Sequence, residues 1–242
     1  AMGLMATCSF TVTVNDTEAP SITCPTPVTV NTDPGLCSAV VTYANATAMD
    51  NCPGVGTPIC MPASGTAFPR GVTTVTCTVS DAAANPASCS FTITVNDNQP
   101  PTLTCPAPMT VSNTPGMCSA VVNYTVPTAS DNCPSPTVAC VPDTGSTFAL
   151  GTTTVTCTAT DAMGLMATCS FTVTVNDTED PVLSCPAPIS QAAAAGQCAA
   201  TVTFSVTASD NCPSVGAVTC VPASGSSFAV GTTTVNCNVS DA

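Results

Sequence analysis

The chain has 242 residues, 14 acidic side chains against the single basic Arg70, no histidine, no tryptophan and 18 cysteines, for a net charge of −13. Such a composition offers no basic surface to neutralise phosphates, so nucleic acid and anionic lipid are poor partners. Imidazole bases, imidazole metal ligands and Schiff-base amines are all absent, and with only carboxylates and thiols for chemistry the chain is read as no enzyme.

The cysteines make up about 7% of the chain, a density natural to secreted or cell-surface domains stapled by disulfides and foreign to a reducing cytosol. No C-x-x-C pair occurs, and a spacing such as Cys133 to Cys140 lacks the tightness of a zinc knuckle. No apolar run reaches the ~20 residues that would span a bilayer. The opening Ala1-Met2-Gly3-Leu4 lacks the charged start of a signal peptide, and the chain reads as the interior of a longer precursor.

In chain order, residues 1–18 come first and are identical to residues 162–179. They read as the last strand of a preceding repeat, which completes a neighbouring domain. Residues 19–98 and 99–179 then form two full repeats, and residues 180–242 a third that lacks its last strand. The cysteines define this period: Cys24, Cys105 and Cys185, or Cys37, Cys118 and Cys198, recur at 80 or 81 residues, six to a full repeat. Within a repeat, Cys118, Ala120, Val122 and Tyr124 alternate with polar neighbours. So do Val155, Cys157 and Ala159, and then Cys169, Phe171, Val173 and Val175, the parity of half-buried strands. Prolines and glycines, 23 and 14 of them, separate the strands, and the Ala-rich stretch from Gln191 to Ala195 is too short for a helix. About seven short strands in ~80 residues predict a two-sheet sandwich. Its core would be small, built on Phe68, Phe91, Phe148, Phe171 and Phe228, and would need covalent help.

The succession D-T-E-x-P, T-C-P, D-N-C-P, G-x-x-F-x-x-G-T-T-T-V-x-C and C-S-F-T-V-T-V-N-D resembles the hyalin repeat, an immunoglobulin-like extracellular domain, over essentially the whole chain. The resemblance implies an all-β fold of tandem immunoglobulin-like β-sandwiches of about 80 residues, stapled by disulfides, with a structural or adhesive role. Asp81 to Asn85 and Asp161 to Leu165 depart from the D-x-x-G-N turn of most family members.

Six cysteines allow fifteen connectivities. An immunoglobulin-like strand order puts the starts of the first and last strands at one pole, which pairs Cys24 with Cys89 and Cys105 with Cys169. Cys133 and Cys157 fall near that pole and pair, leaving Cys118 for Cys140; a local Cys133–Cys140 bridge is the alternative. The same scheme gives Cys37–Cys60 and Cys52–Cys77 in the first repeat, and Cys198–Cys220 and Cys212–Cys237 in the third. Cys8 and Cys185 are then partners between units. Their bond joins two chains if a neighbour's residues 1–14 insert as a donor strand, and lies within one polypeptide if the sequence is cut from a longer array.

Acidic residues gather where repeats meet: Asp16 and Glu18, then Asp97, then Asp177, Glu179 and Asp180. They could hold calcium or, with Asn and Pro, simply form stiff turns. Asp50, Asp131 and Asp210 of the D-N-C-P elements read as caps of backbone N–H groups. A glycosidase pair built on Asp143 and Asp131 fails, because the third repeat has Ala223 at the position of Asp143. Asn15, Asn45, Asn123, Asn176 and Asn238 lie in N-x-S/T sequons. The expected protein is thus a subunit or segment of an extracellular or cell-surface filament whose partners are copies of itself, without a cofactor unless calcium serves. The alternative is an adhesion module that binds a matrix protein or glycan through loops within 45–69, 127–149 and 207–229.

Overall fold

A computed structural model describes residues 3–213 and 215–241; Ala1 and Ala242, the outer limits of the expected segments, lie outside the described residues. The fold is all-β, and no helix occurs among the described residues. The first repeat contains β1 (Ser21–Thr23), β2 (Val28–Asn31), β3 (Ser38–Val41), β4 (Thr47–Met49), β5 (Ile59–Met61), β6 (Thr66–Pro69), β7 (Gly71–Ser80) and β8 (Pro86–Asn96). The second repeats this order as β9 (Thr102–Leu103), β10 (Met109–Ser112), β11 (Ser119–Val122), β12 (Ala129–Ser130), β13 (Thr137–Val141), β14 (Ser146–Ala149), β15 (Gly151–Thr160) and β16 (Met166–Asn176). The third has β17 (Val182–Ser184), β18 (Ala199–Thr201), β19 (Thr207–Ser209), β20 (Thr219–Val221), β21 (Ser227–Ala229) and β22 (Asn236–Asn238).

One layer of the first repeat is a four-stranded sheet in the order β2-β8-β7-β5; the pairs β3-β6 and β1-β4 form the other. The long β8 lies inside its sheet, antiparallel to β7 over Gly71–Ser80 and parallel to β2, with Val28 opposite Ile93. Period-2 alternation then sends Phe91, Ile93 and Val95 inward with Val75 and Cys77, against Ala39, Val41 and Phe68 of the opposite layer. Tyr43 adds an edge-on contact to Phe91 with centroids 5.0 Å apart. The second repeat builds the same core from Phe171, Val173, Val175, Val155, Cys157, Ala120, Val122 and Phe148, with Tyr124 on Phe171.

The third repeat shows what β8 and β16 do. Without a counterpart to them it has three two-stranded ladders, β17-β19, β18-β21 and β20-β22. The segment around Ile189 has no ladder of its own to join, since β2 and β10 bond only to β8 and β16, and it is not a strand. The strand equivalent to β7 shrinks from ten residues to the three of β22.

Contacts divide the chain into two compact units. The first runs to Thr102 and takes in Ala129–Thr137 and Ala159–Ala167; the second comprises Leu103–Thr128, Val138–Thr158 and the chain from Thr168 onward. The D-N-C-P turn of the second repeat therefore belongs with the first repeat.

Candidate functional site

Three features stand out from the sandwich scaffold: a disulfide ladder, a set of acidic junctions, and an imbalance of apolar surface between the third repeat and residues 5–15. The ladder follows one rule through the repeats. First and sixth cysteines are joined in Cys24–Cys89 and Cys105–Cys169, as the strand order required. Fourth and fifth are joined in Cys60–Cys77, Cys140–Cys157 and Cys220–Cys237, at Cα separations of 3.9 to 4.0 Å. The second of one repeat is joined to the third of the next, in Cys37–Cys133 and Cys118–Cys212.

These bonds correct the expected pairs Cys37–Cys60, Cys52–Cys77, Cys118–Cys140, Cys133–Cys157, Cys198–Cys220 and Cys212–Cys237, and also the alternative Cys133–Cys140. The reason is register. Cys60 lies directly opposite Cys77 on the β5-β7 ladder, and Cys220 opposite Cys237 on β20-β22, so each finds its partner across one ladder rung. Cys133 sits in a turn at the pole that meets Cys37 of the preceding repeat, away from the middle of β15. Cys8, Cys52, Cys185 and Cys198 are free and exposed.

Each junction is built from two short elements. Asp50, Asp131 and Asp210 cap the N–H of Cys52, Cys133 and Cys212 at 2.8, 2.8 and 2.7 Å, the expected D-N-C-P turn. The sulfur or carboxylate atoms of Asp16, Asp50 and Cys52 lie within 4.8 Å of one another, as do those of Asp97, Asp131 and Cys133 and those of Asp177, Asp210 and Cys212. Of the expected calcium residues, Asp16, Asp97 and Asp177 are thus brought together with the D-N-C-P aspartates, whereas Glu18, Glu179 and Asp180 stand outside these groups. Glu18 accepts from Asn51 at 2.9 Å, Glu179 accepts from the Gly116 N–H at 2.6 Å, and Asp180 is exposed. Asp97 is buried and accepts from Thr32, from the Gln99 N–H and from Asn132. Asp131 Oδ2 and Asn132 Oδ1 beside it are buried with no hydrogen-bond partner. Oxygen donors of two carboxylates and one amide suit a hard cation, although the disulfide-bonded Cys133 sulfur does not. The Cys52 thiol is held above the ordinary cysteine range, first by its hydrogen bond to Asp16, then by desolvation and by the charges of Asp16, Asp50 and Glu18.

The third feature is an imbalance of apolar surface. Phe91, Ile93 and Val95 are 5, 0 and 1% exposed, and Phe171, Val173 and Val175 are 4, 0 and 1% exposed. Their counterparts Phe10, Val12 and Val14 are 84, 76 and 89% exposed. In the third repeat the space that β8 and β16 fill elsewhere is an open groove of about 650 Å³, lined by Ile189, Phe204, Val206, Phe228, Val230 and Val235 among others. The five sequon asparagines, Asn15, Asn45, Asn123, Asn176 and Asn238, are all exposed.

The architecture defines a tandem array of disulfide-stapled β-sandwich domains. Residues 15–95, 96–175 and 176–242 each match the HYR domain, and the chain belongs to that family. It is 36% identical to hyalin of Strongylocentrotus purpuratus over 96% of this chain and 20% of that protein. It is 39% identical to hyalin of Lytechinus variegatus over 52% of this chain and 24% of that protein. A rat protein with sushi, von Willebrand factor type A, EGF and pentraxin domains is 33% identical over 68% of this chain and 5% of its own length. The chain thus spans about a fifth to a quarter of the hyalins it matches. Among solved structures, Drosophila N-cadherin EC1-4 aligns at a TM-score of 0.36 with 12% identity, covering 66% of this chain and 50% of that one. The titin I-band fragment I67-I69 aligns at 0.36 with 16% identity, covering 85% and 80%.

Proposed function

We propose that the chain is a non-enzymatic structural segment of an extracellular filament of end-to-end repeats, in which a strand with the sequence of residues 5–15 fills the groove of the third repeat. The observation that carries this reading is an open apolar groove together with a segment whose sequence fills the equivalent space in the second repeat. Residues 5–15 have the same sequence as β16, which fills the equivalent groove of the second repeat, and their apolar face is bare. The incoming strand would run parallel to the segment at Ile189 and antiparallel to residues 231–240, as β8 does with β2 and β7. Seven disulfides support an oxidising, extracellular setting.

Light scattering and negative-stain imaging of the purified chain test the reading. End-to-end oligomers are expected, and Val12→Asp, which puts a charge at a position buried in the other two repeats, should leave monomers. Oligomers that survive Val12→Asp would overturn it.

Adhesion to a glycan or matrix protein is a second reading. It is supported by the exposed loops after the D-N-C-P elements, which differ between repeats as Gly54-Val55-Gly56-Thr57, Ser135-Pro136-Thr137 and Val215-Gly216-Ala217. Calcium at the junctions belongs to the filament proposal and is supported by the unpaired Asp131 Oδ2 and Asn132 Oδ1. Scanning calorimetry should then show a lower melting temperature in chelator, restored by calcium, and identical traces would remove calcium from the account.

A further inference from the structure

We propose that Cys60, Cys77, Cys89 and Cys24 of the first repeat form a thiol–disulfide exchange relay: a small-molecule thiol that opens Cys60–Cys77 is captured on Cys60, Cys77 moves to Cys89, and Cys24 is released. These four cysteines make two bonds, Cys60–Cys77 and Cys24–Cys89. Strand register sets the bonds side by side. Cys60, Cys77 and Cys89 occupy one rung across three adjacent strands, since Cys60 lies opposite Cys77 on β5-β7 and Cys77 lies opposite Cys89 on β7-β8. Cys77 belongs to the core, and Cys24, Cys60 and Cys89 pack against it. The sulfurs of Cys24, Cys77 and Cys89 all lie within 4.8 Å of one another. Two disulfides in such contact exchange once one of them is opened, because the freed thiolate is the nucleophile and its target is already beside it.

Burial sets the direction. The sheet order β2-β8-β7-β5 places β5 at an edge. Cys60 is partly exposed there, whereas Cys77 is 0% exposed. An external thiolate therefore reaches the sulfur of Cys60 and not that of Cys77, and Cys77 is the sulfur expelled. Of the two sulfurs beside Cys77, that of Cys89 is held opposite it on β8, whereas Cys24 follows the end of β1 at Thr23 and lies outside the strands, free to leave. The second repeat is the internal contrast. Its matching bond, Cys140–Cys157, joins residues 4 and 0% exposed, so neither sulfur is open to attack.

In the first step the external thiolate bonds to Cys60 Sγ and the Cys60–Cys77 bond breaks, with its electron pair on Cys77. In the second, Cys77 bonds to Cys89 Sγ, the Cys24–Cys89 bond breaks, and Cys24 leaves as a thiolate that takes up the proton lost by the external thiol. Two disulfides are present before and after, so the thiol itself is the sole co-reactant. The product has a modified Cys60, a sheet cross-linked between β7 and β8, and a β1 end no longer bonded to β8.

The test uses the full chain with its free thiols first blocked by N-ethylmaleimide, then exposed briefly to reduced glutathione under native conditions, quenched with iodoacetamide and digested without reduction. Cleavage at Asp50, Arg70 and Asp81 puts the four cysteines on four peptides. Mass spectrometry should find glutathione on Cys60, a Cys77–Cys89 linked pair and the iodoacetamide label on Cys24, with Cys140–Cys157 intact. Label on Cys77 with Cys24–Cys89 intact would overturn the relay, as would opening of Cys24–Cys89 with Cys60–Cys77 untouched, or four cysteines that react only once the chain is unfolded. In the double variant Cys24→Ser, Cys89→Ser the Cys77 thiolate has only Cys60 to return to, so the Cys60 adduct should be lost; an adduct that accumulates as in the parent would also refute the relay. The peptide pattern of the parent chain decides the matter even where that variant does not fold.

Discussion

Replacing both Cys60 and Cys77 by Ala separates the pairing seen in the structure from the pairing a strand-order argument gives. The two residues face each other across β5 and β7, 17 residues apart in sequence, and Cys77 is fully buried. Closing a loop of that length in the unfolded chain corresponds to about 3 kcal/mol. For a domain of this size each kcal/mol moves the midpoint by roughly 4–8 °C, so the first repeat should melt roughly 12–24 °C lower. Alanine keeps the buried site apolar, so no unsatisfied hydroxyl adds to the loss. The decisive assay is thiol titration of the monomer in denaturant. The bonds in the structure leave four free thiols, and the variant should again show four, because both members of one bond are removed. Had Cys37 been bonded to Cys60 and Cys52 to Cys77, the substitutions would instead release two new thiols. A gain of two thiols, or an unchanged melting temperature, would refute the ladder rule.

Two further substitutions read the strand and the junction. Phe171→Ala opens the core of the second repeat and should cost about 3–5 kcal/mol in urea unfolding, whereas Phe10→Ala, on a residue 84% exposed, should leave the monomer within about 0.5 kcal/mol of the parent and weaken association instead. Asp16→Asn removes the carboxylate that does most to hold the Cys52 thiol protonated. Because that influence raises the thiol's pKa, its loss increases the thiolate fraction at a given pH, and iodoacetamide should label Cys52 faster, with the rate profile moved to lower pH.

The repeat and its strands were legible in the sequence because both depend on short-range periodicity. The parity of Cys169, Phe171, Val173 and Val175 determines which side of the sheet each residue takes, and β16 buries the last three. The Cys24–Cys89 bond could be read as well, since it needs only the first and last strands to begin at one pole. The bonds between repeats could not. In a periodic array every pairing within a repeat has a counterpart of the same residue types one period away, so the sequence around Cys37 is equally consistent with Cys52 and Cys133. Only the placement of the D-N-C-P turn against the preceding repeat decides. Asp50, Asp131 and Asp210 were legible as turn caps, yet their approach to Asp16, Asp97 and Asp177 depends on that same placement.

The two kinds of staple differ in what they constrain, and the difference bears on how such an array carries load. Cys60–Cys77 and its counterparts close short loops inside a sandwich whose core is already formed by residues such as Phe91 and Ile93, so they stabilise a domain against unfolding. Cys37–Cys133 spans 96 residues and links turns at the meeting of two repeats, beside hydrogen bonds such as Asn132 to Leu36 O and the Gly35 N–H to Gln99. Exposed hydrogen bonds of this kind contribute about 1 kcal/mol each, too little to resist sustained tension. A covalent bond at that place keeps the joint closed whether or not the hydrogen bonds hold.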